Sequence, residues 1–251
     1  MVQPNTFPLR ENRCPEDQLM DEYHPQNETI TVRIGFAKTG LLRFISHLDL
    51  QKTMKRAFLR ADLPVWFSEG YNPHPKMVFA TPLSVGMESL CEFADIRLTK
   101  PITPRMLKDS FNRVMDGNLT VWHASTPVFK LTDAYWSSYE IVLVHPNASP
   151  SLALEMDSLY KGPLPVVKRT KSTEKEVDIS PFIRIPSVSY EEVGAIRIRC
   201  QLCVSNTDFL NPSYLIAAAS SRFGLSFDRA DSHWSVLRTD LFLKDGVTPF
   251  L

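Results

Sequence analysis

Ile30-Thr31-Val32-Arg33-Ile34-Gly35-Phe36-Ala37-Lys38 sets Ile30, Val32, Ile34 and Phe36 against Thr31, Arg33 and Gly35 at a period of two. That alternation predicts a half-buried strand over residues 30–38. The apolar run Leu41 to Ile45 follows, and Ser46 then stands three residues before Asp49, the pattern of a helix N-cap with an acidic first turn. From there Leu50, Met54, Ala57, Phe58 and Ala61 fall at i, i+4, i+7, i+8 and i+11, one apolar face at a period near 3.6. Lys52, Lys55, Arg56 and Arg60 project from the other side, and Pro64 stops the helix. Strand, then basic amphipathic helix, is the unit from which the fold is read.

Val65-Trp66-Phe67 begins a second strand, which Gly70, Pro73 and Pro75 divert into a turn-rich excursion. Met77 to Phe79 and Leu90 to Leu98 read as strands. Thr103-Pro104 starts a helix with proline in its first turn, carrying Met106, Leu107, Phe111 and Val114 inward, and Leu119 to Val121 closes the half as a strand. If Met77 to Phe79 continues the strand before it, the order is βαββαβ, the ferredoxin-like plan. Past a linker near residues 126–135 the order returns. Tyr139 to Val144 is a strand, Ser151 to Tyr160 a helix, and Pro165 to Lys168 with Asp178 to Ile183 flank a charged hairpin. Ala195 to Val204 is a strand, Pro212 to Phe223 a helix, and Ser235 to Leu243 the last strand. The expected architecture is α+β: two tandem ferredoxin-like halves with antiparallel sheets, at 30–126 and 136–246, after a disordered acidic leader at 1–29.

A formal charge of zero from 28 basic and 28 acidic residues gives no global attraction to nucleic acid. The distribution is uneven. Residues 31–61 hold Arg33, Lys38, Arg43, Lys52, Lys55, Arg56 and Arg60 against Asp49 alone, whereas the leader is acidic. No stretch reaches the roughly 18 apolar residues of a membrane span, and the leader has no apolar signal segment. Cys14, Cys91, Cys200 and Cys203 make no disulfide framework, so a cytoplasmic protein without membrane attachment is expected.

Arg43-Phe44-Ile45-Ser46-His47-Leu48-Asp49-Leu50, then Arg60-Ala61, then Phe67-Ser68-Glu69-Gly70-Tyr71-Asn72-Pro73-His74-Pro75-Lys76, then Pro82-Leu83-Ser84-Val85-Gly86 resemble the bacterial radical SAM-linked protein family. The likeness spans residues 30–243 and is strongest in the first half. It continues through the basic strand at Lys168 and Val177-Asp178-Ile179 and ends near Arg238-Thr239-Asp240-Leu241. This family is a domain of unknown function found alone, attached to, or encoded beside a cobalamin-binding radical SAM enzyme. The resemblance implies that the chemistry belongs to that partner. The chain lacks the three-cysteine cluster motif of such enzymes, so no cofactor of its own is expected. Tandem ferredoxin-like halves are also similar to RNA-binding proteins that process CRISPR repeats, a likeness of fold and no more.

Lys52, Arg56 and Arg60, one turn apart with Lys55 beside them, match a run of backbone phosphates or a solvated helix face. Arg43 extends the basic run, as do Arg33 and Lys38 if their side chains leave the sheet on that side. In the excursion, Tyr71 offers a stacking face and Asn72 and His74 hydrogen-bonding edges for an unpaired base, with Lys76 following. A purely structural Ω-loop reads the same residues equally well. Lys168, Arg169, Lys171 and Lys175 form a second basic cluster, interrupted only by Glu174, either an RNA grip or a protected edge. His47 and His74 raise the possibility of a metal-independent ribonuclease, but six scattered histidines give no diagnostic spacing. Cys200-Gln201-Leu202-Cys203 has no second pair for zinc and reads as buried thiols, so no catalytic or metal residues are assigned. The leading expectation is a non-catalytic RNA-binding accessory presenting tRNA or rRNA to the radical SAM enzyme. A scaffold that binds the enzyme without RNA, and an endoribonuclease, are the alternatives.

Overall fold

The structure, a computed structural model, describes residues 29–169, 174–191 and 194–251. Residues 1–28 of the leader and Lys171 lie outside the described residues, as do the side chains of Lys168 and Arg169. The fold is mixed α/β: a mostly antiparallel central sheet with four helices.

The first half runs β1 (Ile30–Lys38), a 3-10 turn (Gly40–Phe44), α1 (His47–Arg60), β2 (Met77–Phe79), β3 (Glu88–Leu98), α2 (Pro104–Val114) and β4 (Leu119–Ser125). β1 lies between β4 and β3, and β2 pairs with the outer side of β3, all antiparallel. The caps read from the sequence are in place: Ser46 Oγ accepts from Asp49 N at 3.1 Å and Thr103 Oγ1 from Met106 N at 3.2 Å. Met77, Val78 and Phe79 pair with Ile96, Asp95 and Ala94, and Val65 bridges Leu98 in the same line. Residues 66–76 are therefore an excursion inside one interrupted strand.

The second half runs β5 (Trp136–Val144), α3 (Pro150–Lys161), the hairpin β6 (Pro165–Arg169) and β7 (Glu174–Asp178), then β8 (Ile183–Glu191), β9 (Ala195–Cys203), α4 (Ser213–Phe223) and β10 (His233–Phe242). β6 and β7 form a separate two-stranded sheet, and the others take the order β10-β5-β9-β8. The strand read over Asp178 to Ile183 is instead the end of β7 followed by a 3-10 turn (Ser180–Phe182), and β8 beyond Ile183 has no counterpart in the sequence reading. Its alternation is broken by Pro186, where the register with β9 shifts between Arg184 and Ser187 and Ile185 takes a φ of +43°. Proline at a bulge of an edge strand is compatible with pairing but hides the strand from pattern reading.

Two apolar cores form. Val32, Ile34, Phe36, Ala94, Ile96 and Leu98 meet Leu50, Met54, Phe58 and Phe111 under α1 and α2. Ile141, Leu143, Ile196 and Ile198 meet Met156, Leu215 and Ala219 under α3 and α4. The sheet is continuous across the halves because β10 pairs in parallel with β3 at Leu237–Glu88 and Arg238–Ser89. Arg238, 1% exposed, reaches through this seam. It donates to the Thr81 carbonyl at 2.9 Å, to Thr81 Oγ1 at 2.8 Å and to Ser89 Oγ at 3.3 Å, and it pairs with Glu92.

Arg33 and Lys38 do not extend the basic surface. Both faces of β1 are covered, and the two side chains are 0% and 3% exposed. Arg33 forms two hydrogen bonds to Asp95, at 2.8 and 3.0 Å, and stacks on Phe250 at 4.7 Å. Phe250 is brought there by the chain end folding back on β10, with Phe250 N donating to Leu241 O at 2.8 Å.

Removing one partner of a buried, fully bonded ion pair leaves the other charge stranded. Arg238→Ala is expected to lower unfolding stability by about 3–5 kcal/mol in urea titration; a loss below about 1 kcal/mol would show that the seam does not depend on it. A second expectation concerns His123 on β4, whose pKa is lowered to about 4 by burial, with Lys108 and Arg33 adding repulsion. The unfolded chain binds this proton from about pH 6.5 downward, the folded chain from about 4. Stability therefore falls on acidification across that window and is unaffected by this group above it. His123→Phe should flatten the urea midpoint between those pH values, and an unchanged slope would exclude the group as the source.

Candidate functional site

α1 presents three faces. With about 100° between successive residues, Leu50, Met54, Ala57 and Phe58 point into the core. His47, Gln51 and Lys55 descend the edge facing β2, while Lys52, Arg56 and Arg60 turn outward. His47 packs edge-on against Phe79 with ring centroids 4.8 Å apart. Its Nε2 lies 2.9 Å from Gln51 Nε2, an amide nitrogen that can only donate, so the ring accepts there. Burial lowers the His47 pKa, with Glu92 opposing and Lys38 reinforcing the shift.

Lys55 Nζ donates to the Pro73 carbonyl at 3.1 Å. This bond docks the 66–76 excursion against the helix. Its base is closed by a Phe67–Pro75 bridge and by Ser68 N donating to His74 O at 2.9 Å. Ser68 Oγ accepts from His74 N at 3.2 Å and lies 3.0 Å from His74 Nδ1, which is also 3.1 Å from the Asn72 carbonyl oxygen. A carbonyl only accepts, so Nδ1 supplies the proton of that bond. At the tip, Tyr71 is fully exposed at 105% of its reference area. Asn72, His74 and Lys76 are exposed beside it.

Lys52, Arg56 and Arg60 are exposed as well. Lys52 lies 3.4 Å from Asp49, both largely in solvent, a pair of little energetic weight. Arg60 Nη2 donates to the Val114 carbonyl at 3.1 Å, closing the end of α2. Arg56 and Arg60 flank a shallow depression of about 430 Å³ with Thr53 and the half-exposed Leu59. Arg43 stands apart from this face: it stacks on Phe44 at 4.7 Å and lies 3.8 Å from Glu88. The structure thus unites Lys52, Lys55, Arg56 and Arg60 with Tyr71, Asn72 and His74, and leaves Arg43 beside it on the 3-10 turn. β6, which carries Lys168 and Arg169, belongs to the other half.

Sequence reasoning missed a polar cluster at the head of α1. Lys38, Glu92 and Arg238 are buried, with Thr81 and Ser89 around them. Glu88 Oε1 accepts from Gly40 N at 2.6 Å, and Gly86 N donates to Arg43 O at 2.7 Å, which ties the 3-10 turn to the segment before β3. Gly40 has a φ of +59°, and a β-carbon there would lie 2.3 Å from Asn118 Oδ1, so the turn requires glycine. The available signal was Glu92 itself, a carboxylate in phase with Ala94, Ile96 and Leu98. Cys200 and Cys203 are buried on β9, with the Cys200 thiol pushed up to about 12 by burial. Among the described residues no three His, Cys, Asp or Glu side chains converge on a metal position, and no helix is long and apolar enough to cross a membrane.

The chain belongs to the family described as "Uncharacterized protein conserved in bacteria (DUF2344)", whose model matches residues 31–212. That span includes every element of the α1 surface. No curated protein matches the chain. Among solved structures, a chain of the Cbf5–Nop10–Gar1 complex is similar at a TM-score of 0.45 and 11% identity. The match covers 84% of this chain and 48% of that one, about half its length.

Ser68 holds the base of the excursion through both backbone and imidazole. Ser68→Ala is expected to speed cleavage at Glu69 by a glutamate-specific protease several-fold, while global stability falls by about 1 kcal/mol or less. Unchanged cleavage would mean that Lys55 and the two prolines suffice to hold the loop.

Proposed function

We propose that this protein is a non-catalytic RNA-binding accessory that presents tRNA or rRNA to a partner cobalamin-binding radical SAM modification enzyme. The Lys55–Pro73 bond carries this reading, because it makes a cationic helix face and an exposed aromatic loop one surface. Phosphates run along Lys52, Arg56 and Arg60, and the half-exposed Leu59 gives them an apolar neighbour. Tyr71 stacks an unpaired base, and Asn72 with His74 Nε2 reads its edge. The closed loop base supports this role, since a pre-ordered loop loses little entropy on binding. We read each half as ferredoxin-like, a view favoured by the orders β4-β1-β3-β2 and β10-β5-β9-β8 over βαββαβ paths. The radical SAM partner follows from the family resemblance carried by Arg43 to Leu50 and Ser68 to Lys76.

A second reading, a protein scaffold for the enzyme, draws on Leu41, Phe44, Leu48 and Val85. These apolar side chains are 79%, 57%, 66% and 54% exposed around the 3-10 turn. The two readings coexist if RNA lies along α1 and the enzyme on this turn.

Filter binding of total bacterial RNA across a salt series separates them. Binding is expected to weaken with salt, and Arg56→Ala to reduce the logarithmic slope by about 0.7–0.9, one phosphate contact. No binding at low salt, or an unchanged slope in Arg56→Ala, would remove the phosphate assignment. Capture of the radical SAM enzyme after nuclease treatment would then leave the scaffold standing.

A further inference from the structure

On α1 the cations outnumber their partners. Lys52 lies 3.4 Å from Asp49, and among the described residues no carboxylate stands within ion-pair distance of Lys55, Arg56 or Arg60. Several surface cations elsewhere are neutralised in place: Arg105 has Asp109, Lys161 has Asp157, Arg199 has Glu140 and Arg229 has Asp231. Between Arg56 and Arg60 the depression also presents Leu59, an apolar side chain 53% exposed. A ligand fitted to this face is therefore acidic with an apolar centre.

The chain itself contains such a segment. Glu16-Asp17-Gln18-Leu19-Met20-Asp21-Glu22-Tyr23 sets two carboxylates on each side of Leu19 and Met20. The leader joins the fold where α1 ends: Ile30 pairs with Leu98, Leu98 is bridged by Val65, and Val65 follows Arg60 by five residues. Glu22 precedes Ile30 by eight residues and Glu16 by fourteen, an extended reach of up to about 26 and 46 Å. The 14 residues of α1 rise about 21 Å. That reach covers Arg60, Arg56 and Lys52 from the near end of the helix.

We propose that residues 16–23 lie along the outward face of α1 in the free protein, with Leu19 and Met20 over Leu59 and the flanking carboxylates against Lys52, Arg56 and Arg60. Each exposed ion pair is weak. Tethering compensates, because a short connection holds the segment at roughly millimolar effective concentration beside the helix. Salt screens the contact, so the face is covered at low ionic strength and open at high. The consequence rests on the RNA reading above: RNA displaces the leader to reach the same cations.

The test uses the whole chain with a nitroxide on Cys14, since Cys91, Cys200 and Cys203 are buried. Amide signals of Lys52 to Arg60 are expected to broaden at low salt and to recover at about 1 M, where the Debye length is near 3 Å. They should also recover in a variant carrying Glu16→Gln, Asp17→Asn, Asp21→Asn and Glu22→Gln, which leaves every described residue unchanged. Signals untouched by the label, or broadened equally in the variant, overturn the contact whatever RNA does. Broadening seen only between a labelled chain and a separate isotope-enriched chain assigns the leader to a second copy and overturns the contact within one chain. In filter binding at low salt the variant should hold RNA about threefold to tenfold tighter than the wild type, the gain from freeing an occupied site. Neutralising four exposed acids of the second half, Glu155, Glu176, Asp228 and Asp231, should give a smaller gain. An equal gain there, or none in the leader variant, overturns displacement. If neither protein binds RNA, the RNA reading falls and the label result alone decides the leader contact.

Discussion

The guanidinium of Arg238 is the constraint on which the arrangement of the first half depends. It enters from the last strand of the other half and is satisfied by a carbonyl, two hydroxyls and a carboxylate that all belong to residues 81–92. Such a group is costly to bury and tolerable only when nearly every donor is used. Its position therefore fixes Thr81 relative to β3. That in turn fixes the descent through Gly86 and Glu88, whose bonds to Arg43 and Gly40 hold the 3-10 turn. The turn sets where Ser46 caps α1, and so where the basic face points. β10 reaches β3 at all because β2 stops at Phe79, leaving the Glu88–Ser89 edge open.

Zero net charge and a cationic surface are compatible because the charges are sorted by depth and by element. Arg33, Lys38 and Arg238 are buried, the first and last neutralised by Asp95 and Glu92. On the far side of the second half, Arg197 and Arg199 are paired with Glu140 and Glu191. On α1 the only acid is Asp49, which is turned toward Ser46 and Lys52. The outward field of α1 is thus uncompensated over a few ångströms, within about one Debye length at physiological salt. Totals conceal this, because a field acts locally.

The first half was legible because its signals are local. Ser46, Thr103-Pro104, Pro64 and the two periodicities each act within a few residues, and each lies where it was read, except that Met106, expected inward on α2, is 58% exposed. What was not legible depends on contacts distant in sequence. Arg33 read as a surface charge because an alternating strand implies one wet face, yet the returning C-terminus and its Phe250 dry that face; Lys38 is in phase with Val32, Ile34 and Phe36 and is buried on the other side. Arg238 and Glu92 are 146 positions apart, and no local rule pairs them. β8 was lost to Pro186, a residue that argues against strands except at an edge bulge. For the surface itself, the sequence supplied the residue types. The closure of the loop on α1 through Lys55 was not among its local signals.

That closure explains why an aromatic side chain can stand wholly in water at the tip of a loop. An open excursion of this length would collapse its tyrosine onto the nearest apolar surface to remove it from solvent. Here the Phe67–Pro75 bridge, the Ser68–His74 bonds and the prolines at 73 and 75 leave the tip little freedom, and the Lys55 anchor holds its flank against α1. The exposure is imposed by the backbone. A side chain held out in this way gains by burial when a flat partner arrives, with most of the ordering already done in the free protein. On the RNA reading proposed above, the adjoining cations would bring a polyanion to that place, and the loop would then favour one that carries exposed rings over one that is only charged.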